Sequence, residues 1–404
     1  IYGAREEPME GVDERLIADE LVRLDPNVYA GRGIDDPATG DVATIVDEAM
    51  DRDILMTMGA GSVTQLAPRL HAALTERAPM QRIDEPDWLE HDVPLHKFTT
   101  IGTGGTARHF AKVATEAELQ AALAWARARE LPHAVIGLGS NSLISDDGFD
   151  GLAIRLVDDL ARIEIDRDGA RVVLGGGASL GAAVRLCRDA GLRGFEFACA
   201  IPGTAGGATK MNAGAYGGEM RDVLSSVRVV TPDGISDVDP ATLNMRYRGS
   251  DIGARMVVAQ VQLELAHDEP EAIKARVQEL QAKRSESQPR AARSFGSVFQ
   301  NPTSVPAGAA PEARTDDGAA RGAGALIELA GLKGHRIGGA CISPKHGNFI
   351  ENDEGASTAD IVALIRLAHA TVSERFGVEL ATEVHVLERD GYRSLFDQRA
   401  GASA

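Results

Sequence analysis

Cysteine, positive charge and long apolar runs are all scarce in this sequence. Only three of the 404 residues are cysteine, at positions 187, 199 and 341, and no two of them form a C-x-x-C pair. An odd number of widely spaced cysteines argues against both a disulfide framework and a structural zinc site. We therefore expect three reduced, mostly buried thiols in a cytosolic protein.

The sequence also has none of the features that indicate a membrane or exported protein. No run of about 18 apolar residues could cross a bilayer. The N-terminus has no basic region followed by an apolar stretch, so no signal peptide is predicted. Residue 1 is isoleucine and the chain opens in the middle of a strand-and-helix pattern, which we interpret as a fragment or a processed form. We expect a cytoplasmic protein without a membrane partner.

Acidic residues outnumber basic ones. Asp and Glu total 60 against 42 Lys and Arg, which gives a formal net charge of −18. A chain of this sign repels phosphate backbones, so nucleic acid is not an expected partner. A small anionic ligand would still bind where donors are aimed at it locally.

A chain of 404 residues is long enough for two to four domains. The first region combines a short apolar strand, a glycine turn and a helix, which is an α/β unit. A proline-rich linker follows it, and then a long region that mixes helices with hairpins. The predicted boundaries are 1–78 for the first domain, 79–95 for the linker, 96–284 and 285–390 for two further domains, and 391–404 for a frayed tail.

Periodicity and turn signals place the main elements beyond the linker. The mixture of hairpins and crossovers predicts an α+β protein rather than a doubly wound sheet. The Ala-, Gly- and Pro-rich stretch 306–324 is expected to be a loose surface loop. Helices are predicted over 116–130, 179–190, 271–283, 326–330 and 358–376, hairpins over 162–174 and 225–238, and strands over 255–265 and 383–387.

Two glycine-rich segments would let backbone N–H groups approach an anion closely. Gly137–Ser142 follows an apolar strand, and the denser run Ile201–Ala208 is followed by Asn212–Tyr216. The spacing of a P-loop and that of the dinucleotide fingerprint are both missing. A pyrophosphate fits such segments. The alternatives are an ordinary strand-to-loop turn and a glycine-rich surface loop.

Three polar side chains are candidates for chemistry. Arg248 carries a permanent charge that suits a carboxylate or a developing enolate. Ser297 lies in an apolar frame after a glycine and could donate a proton in a dry site. Glu383 lies between apolar neighbours, which favours a raised pKa. Each has a structural alternative: a solvated arginine, a turn serine and a solvent-facing glutamate.

The histidines form no H-E-x-x-H pattern and no triad with a serine and an acid, so neither a metal site nor a serine hydrolase is predicted.

Taken in order, these segments resemble a known family, the UDP-N-acetylenolpyruvoylglucosamine reductases, also called MurB. The resemblance covers about residues 96–388, and its shorter subtype fits best, because the gap between Arg248 and Arg255 is too short for the extra loop of the longer one. Gln300 departs from the lysine usual in the family, which bears on substrate or nicotinamide-phosphate binding. The matching segments are 99–102, 139–142, 201–204, 212–217, 247–250, 295–302, 346–350 and 383–384.

The resemblance implies an FAD-binding domain of the PCMH/oxidase type followed by a C-terminal α/β substrate domain. FAD would be held non-covalently, reduced by NADPH and reoxidised by UDP-N-acetylglucosamine enolpyruvate, in the synthesis of peptidoglycan precursors. Arg248 and Glu383 would stabilise an enolate-like species, and Ser297 would protonate it.

The same resemblance assigns binding roles. Tyr247, Asn301 and Asn348 would contact the substrate. The residues implied in FAD binding are Gly137, Gly139, Ser140, Asn141, Ser142, Ile201, Pro202, Gly203, Thr204, Gly207, Asn212, Gly214, Tyr216 and Arg284.

Residues 1–78 resemble a second family, the C-terminal domain of UDP-N-acetylmuramate–L-alanine ligases, at Tyr2–Pro8 and Leu55–Gly61. The ligase's nucleotide-binding domain is missing from this sequence, so this part alone should not ligate. We interpret the chain as a ligase–reductase fusion cut at its N-terminus, or as a reductase that associates with the ligase.

Two alternatives remain at this point. The first is an FAD-dependent oxidase that uses O₂ and tethers its flavin through a histidine such as His109, although the Ala107–Phe110 context does not match that motif. The second is a non-catalytic scaffold module of wall synthesis, for which Gln300 and the truncated start are the support.

Overall fold

The computed structural model describes residues 85–289 and 293–396. The ligase-like domain predicted over residues 1–78 lies outside the described residues, as does the predicted tail from residue 397. No helix in the described ranges is long and apolar enough to cross a membrane. All three cysteines carry free thiols, and Cys187 and Cys341 are buried.

The first region is built on a four-stranded sheet in the order β1–β2–β5–β3. β1 runs antiparallel to β2, while β5 runs parallel to both β2 and β3. The fourth strand of the region, β4, pairs elsewhere. The strands are β1 (Glu90–Pro94), β2 (Thr106–Val113), β3 (His133–Val135), β4 (Ser142–Ile144) and β5 (Phe149–Leu156).

Helix α1 (Glu116–Ala128) packs on this region because its start and its apolar face are both specified locally. Thr115 and Glu118 form a capping box, which satisfies N–H groups at the helix start. Leu119, Leu123 and Trp125 are buried in a core shared with the sheet. The helix thereby covers the strands that lead into the first glycine turn.

The second region is a five-stranded antiparallel sheet in the order β12–β11–β13–β7–β6. In its central strand, buried Ala259, Val261 and Leu263 alternate with glutamines, as expected of a strand. Two further short pairs are β8 with β14 and β9 with β10. The strands are β6 (Ile163–Asp166), β7 (Arg171–Gly175), β8 (Leu192–Arg193), β9 (Gly214–Ala215), β10 (Gly218–Glu219), β11 (Leu224–Thr231), β12 (Gly234–Val238), β13 (Val257–Glu264) and β14 (Ala266–His267).

Three helices belong to this second region. They are α2 (Leu180–Asp189), α3 (Ala205–Lys210) and α4 (Pro270–Ser287). Buried residues of α2 and α4 join the sheet in one core cluster, which includes Val184 and Val277. The short helix α3 directly follows the second glycine-rich segment.

The third region carries helices α5 (Ala323–Leu329) and α6 (Thr358–Phe376). A capping box of Ser357 and Asp360 begins α6, and Gly377 ends it with a left-handed φ of 68°. The region's strands are β15 (Arg336–Ile337), β16 (Ala340–Ile342), β17 (Ile350–Asn352), β18 (His385–Glu388) and β19 (Gly391–Arg393).

One strand pair links the beginning and the end of the described chain. β18 pairs in parallel with β4, so that His385 lies opposite Ser142 and Leu387 opposite Ile144. Asp146 reinforces the link, because its carboxylate accepts the N–H groups of Thr358 and Ala359 at the start of α6. The first glycine turn and the final strand are therefore held side by side.

The predicted elements agree with the structure in outline, although several strands, β2 and β5 among them, were not predicted, and four further differences are notable. β1 lies inside the predicted linker and is paired in the first sheet. β19 begins the predicted frayed tail and pairs with β18. The stretch 306–324 is more ordered than expected, since Ala313 is fully buried and Arg314 bridges Ala320. Helix α3 was not predicted at all.

Candidate active site

Arg248 is held by a tight turn. The backbones of Arg246 and Gly249 exchange both N–H···O hydrogen bonds, at 2.9 and 3.1 Å. This closes the turn and puts Arg248 in the left-handed region at φ 58°, an uncommon conformation for a residue with a side chain. The guanidinium lies over the ring of Tyr247, 4.9 Å from its centroid. The turn thus fixes the direction in which the arginine leaves the backbone.

The guanidinium of Arg248 reaches the carboxylate of Glu383 from the third region. Nε lies 2.7 Å from Oε1, and the two side chains are 20% and 19% exposed. The Nε hydrogen is not aligned along this contact, so it is an ion pair rather than a directed hydrogen bond. Burial raises the pKa of Glu383, and the charge of Arg248 opposes that rise. The arrangement can hold either protonation state beside a fixed cation.

Ser297 lies in the middle of three extended segments. It bridges Phe349 on one side, and Phe299 bridges Thr382 on the other. The N–H of Glu383 donates to the carbonyl of Val298 at 2.8 Å. Gly296 precedes the serine with a φ of 83°, which glycine adopts without strain. The structure therefore places the predicted proton donor on the segment that is hydrogen-bonded to the predicted carboxylate's backbone.

Gln300 follows on the same segment. Its N–H donates to the carbonyl of Ala381 at 2.9 Å, and its side-chain Nε2 lies 3.4 Å from the carbonyl of Thr382. The residue that replaces the family's lysine is therefore beside the segment that carries Glu383, just before β18.

The first glycine turn packs tightly against its neighbours. Gly139 has a φ of 63°, and a Cβ there would lie 2.1 Å from the carbonyl oxygen of Phe98. A Cβ on Gly137 would lie 2.7 Å from Oγ1 of Thr204. Ser140 donates to the carbonyl of Pro202 at 2.5 Å. The two glycine-rich segments predicted from the sequence are thus in contact.

Two side chains of this turn connect it to the end of the chain. Asn141 donates through Nδ2 to the carbonyl of Glu383 at 3.1 Å. The hydroxyls of Ser142 and Tyr392 are 3.1 Å apart. Asn141 and Ser142 were both predicted to bind the cofactor, and here both connect the glycine turn to the last residues of the described chain.

The second glycine segment is anchored by Asn212. Its side chain is fully buried, and its backbone has a left-handed φ of 40°. Its Nδ2 donates to Glu219 at 2.8 Å and to the carbonyl of Arg246 at 3.1 Å, while its Oδ1 accepts the N–H of Arg221 at 3.0 Å. Asn212 therefore holds the turn of Arg248 against the glycine segment.

The remaining residues of the second glycine segment make backbone contacts or lie near the surface. Leu180 donates its N–H to the carbonyl of Gly203, and Thr204 bridges Ser179. Ile201 is partly buried against the core cluster of the second region, which contains Val184 and Val277. The other residues predicted to hold FAD here are Gly207, which is exposed, Gly214, which packs against Gly218, and Tyr216, which is 45% exposed with a φ of 52°.

Arg155 and the glycines after β7 were not predicted from the sequence to belong to the site. A small cavity is lined by Gly137, Arg155, Gly176, Gly177 and Thr204, among others. The Arg155 guanidinium stacks over the ring of Phe98 at 4.9 Å, burial lowers its pKa, and no carboxylate partner is found for it among residues 85–289 and 293–396. Three consecutive glycines at 175–177 were the available signal.

A half-buried guanidinium beside a glycine turn, with no counter-ion in the described part of the chain, suits a bound anion. Both glycine segments border this arginine, and the cavity joins them. These residues fit a cofactor that contains a pyrophosphate.

The side chains of three further predicted residues have partners within the protein, two on the backbone and one on a side chain. Asn301 accepts the N–H of Ala323 through Oδ1 at 3.1 Å, at the start of α5. Asn348 is 4% exposed, and its carboxamide is bonded to the backbone of Phe299. Arg284 donates through Nε to Gln288 at 3.2 Å near the end of α4. The structure gives these side chains roles in holding the protein together.

His109 of β2 lies in a stack of rings. It makes edge contacts with His91, at 5.1 Å between centroids, and with Trp125 of α1, at 5.0 Å. Burial and the neighbouring positive charges lower its pKa.

Two separate stretches of the chain match models of known protein families. Residues 107–236 match the model of an FAD binding domain. Residues 288–387 match the C-terminal domain of UDP-N-acetylenolpyruvoylglucosamine reductase. The two matches contain the glycine segments in one case, and Ser297 and Glu383 in the other.

Individual relatives extend the similarity over most of the chain. A UDP-N-acetylenolpyruvoylglucosamine reductase of Anaeromyxobacter sp. (strain Fw109-5) is 38% identical over 296 residues, 73% of this chain and 87% of the relative. One of Listeria monocytogenes serotype 4b (strain CLIP80459) is 38% identical, with 74% and 94% covered. The crystal structure of the Thermus caldophilus enzyme superposes with a TM-score of 0.61 at 35% identity, covering 74% of this chain and 98% of that one. The chain belongs to the family of UDP-N-acetylenolpyruvoylglucosamine reductases.

Proposed function

We propose that this protein reduces the enolpyruvyl ether of UDP-N-acetylglucosamine to UDP-N-acetylmuramate, a step in peptidoglycan precursor synthesis. The observation that carries the proposal is the contact of Arg248 with Glu383, which brings a fixed cation and a buried carboxyl together beside the strand of Ser297. Each of the three residues comes from a different part of the sequence.

The arginine and the glutamate would act on negative charge. Addition of hydride to the terminal carbon of the enol ether leaves charge on the carboxyl-bearing side. A preorganised guanidinium stabilises that charge most where water is excluded, and both side chains here are about four-fifths buried. Because burial raises the pKa of Glu383, its protonated form can donate a hydrogen bond to the same group.

Ser297 would then complete the reaction. Its hydroxyl would deliver a proton to the carbon next to the carboxylate, and the proton would be replaced from solvent. The extended pairing on both sides of Ser297 holds its backbone fixed during this transfer. Tyr247, partly exposed beside Arg248, is a candidate to cover the substrate.

FAD is the cofactor that the glycine segments would hold, without a covalent bond. When bound, it supplies the hydride, with NADPH as the source. Arg155 would pair with the pyrophosphate, and the backbones of Gly139 and Gly203 allow close approach.

Two finer proposals rest on sequence motifs alone. The first is that residues 1–78 form a domain like the last domain of the muramate–alanine ligases, through which the chain is fused to or associates with that enzyme. The second is a cytoplasmic location. Co-purification of a tagged chain with the ligase from a bacterial lysate tests the first, and fractionation tests the second.

Anaerobic single-turnover spectroscopy tests the reductase activity. NADPH should bleach the flavin absorbance of the purified protein. Addition of UDP-N-acetylglucosamine enolpyruvate should then restore the absorbance without oxygen, whereas UDP-N-acetylglucosamine, which lacks the enol ether, should not. A flavin that stays reduced until air is admitted would instead support the oxidase alternative.

A further inference from the structure

Asn348 has both ends of its carboxamide bonded to one residue. Nδ2 donates to the carbonyl of Phe299 at 2.8 Å, and Oδ1 accepts the N–H of Phe299 at 2.9 Å. The side chain is 4% exposed. An asparagine that mimics a backbone partner in this way satisfies two polar groups that would otherwise be buried unpaired.

The backbone of Asn348 adds a third hydrogen bond to the same segment. Its carbonyl accepts the N–H of Val298 at 3.0 Å. Ser297, the residue before Val298, bridges Phe349, the residue after Asn348. Asn348 therefore grips the two residues that immediately follow Ser297.

The same two residues meet Glu383 on their other edge. The carbonyl of Val298 accepts the N–H of Glu383 at 2.8 Å, and Phe299 bridges Thr382. The segment 297–299 thus lies between two other segments, joined to them by isolated bridges, with Asn348 on one side and Glu383 on the other. Any sideways shift of this segment changes the spacing between the Ser297 hydroxyl and the Glu383 carboxyl.

Asn348 is itself held in place. Its N–H donates to Nδ1 of His346 at 3.1 Å, which puts the ring proton of neutral His346 on Nε2. Burial lowers the pKa of His346, which favours that neutral form. A Cβ on Gly347 would lie 2.5 Å from the carbonyl of Gly324, so the turn packs directly on α5.

From these contacts we infer that Asn348 is a positioning residue for Ser297 and Glu383, and not a residue that binds substrate. Phe299 takes one N–H and one lone pair of the carboxamide, and the side chain is only 4% exposed, so little of it is open to a ligand. Its action on the reaction passes through the segment 297–299. The inference rests on the proposed reductase function.

The test compares Asn348 with a matched asparagine four residues further along the chain, at the end of β17. Asn352 is 6% exposed, and its carboxamide also bonds two backbone groups, the carbonyl of Ile101 at 2.9 Å and the N–H of Ala356 at 2.8 Å. Asn348→Ala and Asn352→Ala should therefore lower Tm to a similar extent. Asn348→Asp keeps the shape and one acceptor, and it serves as the conservative variant if the alanine variant does not fold.

The measurements are FAD content, the rate of flavin reduction by NADPH, and the rate of anaerobic reoxidation by the enolpyruvyl substrate. In the Asn348 variants, reoxidation at saturating substrate should slow by about 10- to 100-fold, because a misplaced proton donor costs rate rather than affinity. The solvent deuterium isotope effect on that step should rise. FAD content and flavin reduction should stay near wild type, and Asn348→Asp should lie between wild type and Asn348→Ala.

Two outcomes would overturn the inference. A raised KM with an unchanged limiting rate would assign Asn348 to substrate binding. Equal slowing of reoxidation in the Asn352 and Asn348 variants would reduce its role to stability. If the substrate does not reoxidise the flavin of the wild-type protein at all, the proposed function fails, and the inference fails with it. That failure is seen in the wild-type protein alone and is therefore distinct from a failure of the inference, which is seen only in the variants.

Discussion

Nε of Arg248 lies 2.7 Å from Oε1 of Glu383, with neither side chain more than 20% exposed. The arginine comes from a tight turn before β13 and the glutamate from the approach to the last strand pair. Burial and the neighbouring cation act on the pKa of Glu383 in opposite directions. Their balance sets the protonation of the group proposed to assist the reaction, and it can be measured in several ways.

Replacing Glu383 by glutamine should flatten the dependence of stability on pH. The folded-state pKa of Glu383 is raised, so the carboxyl contributes stability below its unfolded pKa of about 4.3, and that contribution is lost as pH rises through the folded value. The difference in Tm between E383Q and wild type should therefore move in favour of the variant from pH 4 to pH 8. Differential scanning calorimetry across that range measures it, and parallel curves would contradict the burial argument.

Removing the hydroxyl of Ser297 should slow one half-reaction only. Loss of a positioned general acid typically costs about 100- to 10,000-fold, so reoxidation of the reduced flavin by the enolpyruvyl substrate should fall by that order in S297A. Reduction by NADPH should be unchanged. Stopped-flow absorbance separates the two steps, and Ser304→Ala, at an exposed loop position, is the control. Equal slowing of both steps would point to a damaged flavin site instead.

Adding a methyl group at Gly139 should expel the cofactor. Gly139 and Gly318 both have left-handed φ values, but a Cβ at Gly139 would lie 2.1 Å from the carbonyl of Phe98, while nothing lies within 4 Å of one at Gly318. Gly318→Ala should cost about 1–2 kcal/mol from backbone strain alone. Gly139→Ala should cost more and should purify without yellow colour. A fully loaded G139A would show that the first turn does not hold FAD.

Replacing Arg155 by methionine should weaken FAD binding by about tenfold or more, since a charged hydrogen bond to phosphate contributes about 1.5–3 kcal/mol. The dependence of the FAD Kd on salt should also fall. Fluorescence titration of the apoprotein measures both. Arg162→Met is the control, because Arg162 is exposed and pairs with Glu164 at 3.2 Å. An unchanged FAD Kd in R155M would contradict the proposal that Arg155 pairs with the pyrophosphate.

Restoring lysine at position 300 should lower the pKa of Glu383. The side chain of residue 300 lies beside the carbonyl of Thr382, so a cation there would favour the charged carboxylate next along the chain. The alkaline limb of the kcat profile should move to lower pH, and KM for an anionic substrate should fall. Gln278→Lys adds the same charge on an exposed face of α4 and should change neither. If the alkaline limb of the kcat profile did not move in Q300K, the charge of residue 300 would have no influence on the pKa of Glu383.

The sequence predicted helices best where local signals agree with packing. The bounds of α6 were predicted as found, because a capping box begins it and a left-handed glycine ends it. Helix α3 was missed because its glycines lower helix propensity. Tertiary packing overrides that propensity, as the N–H of Gly206 donates to the carbonyl of Gly176 at 2.8 Å.

The site residues were predicted from residue type and family resemblance, and not from their contacts. Periodicity gives no information on which arginine meets which carboxylate, so the ion pair of Arg248 with Glu383 could come only from the fold. Asn348 was predicted to contact the substrate, which stays a prediction, and the two hydrogen bonds of its amide to Phe299 are visible only in the fold. Arg155 was overlooked for the same reason, since its isolation from carboxylates is a property of three-dimensional packing.

The parallel pairing of β18 with β4 has a consequence for synthesis of the chain on the ribosome. β4 and its glycine turn emerge more than 200 residues before their partner strand, which arrives together with Glu383. Until then the edge of β4 lacks its neighbour, and the arginine turn lacks its counter-charge. A nascent chain therefore cannot assemble the proposed catalytic group early, and a stop codon upstream of position 383 would yield a protein that has its glycine segments and no complete reaction centre.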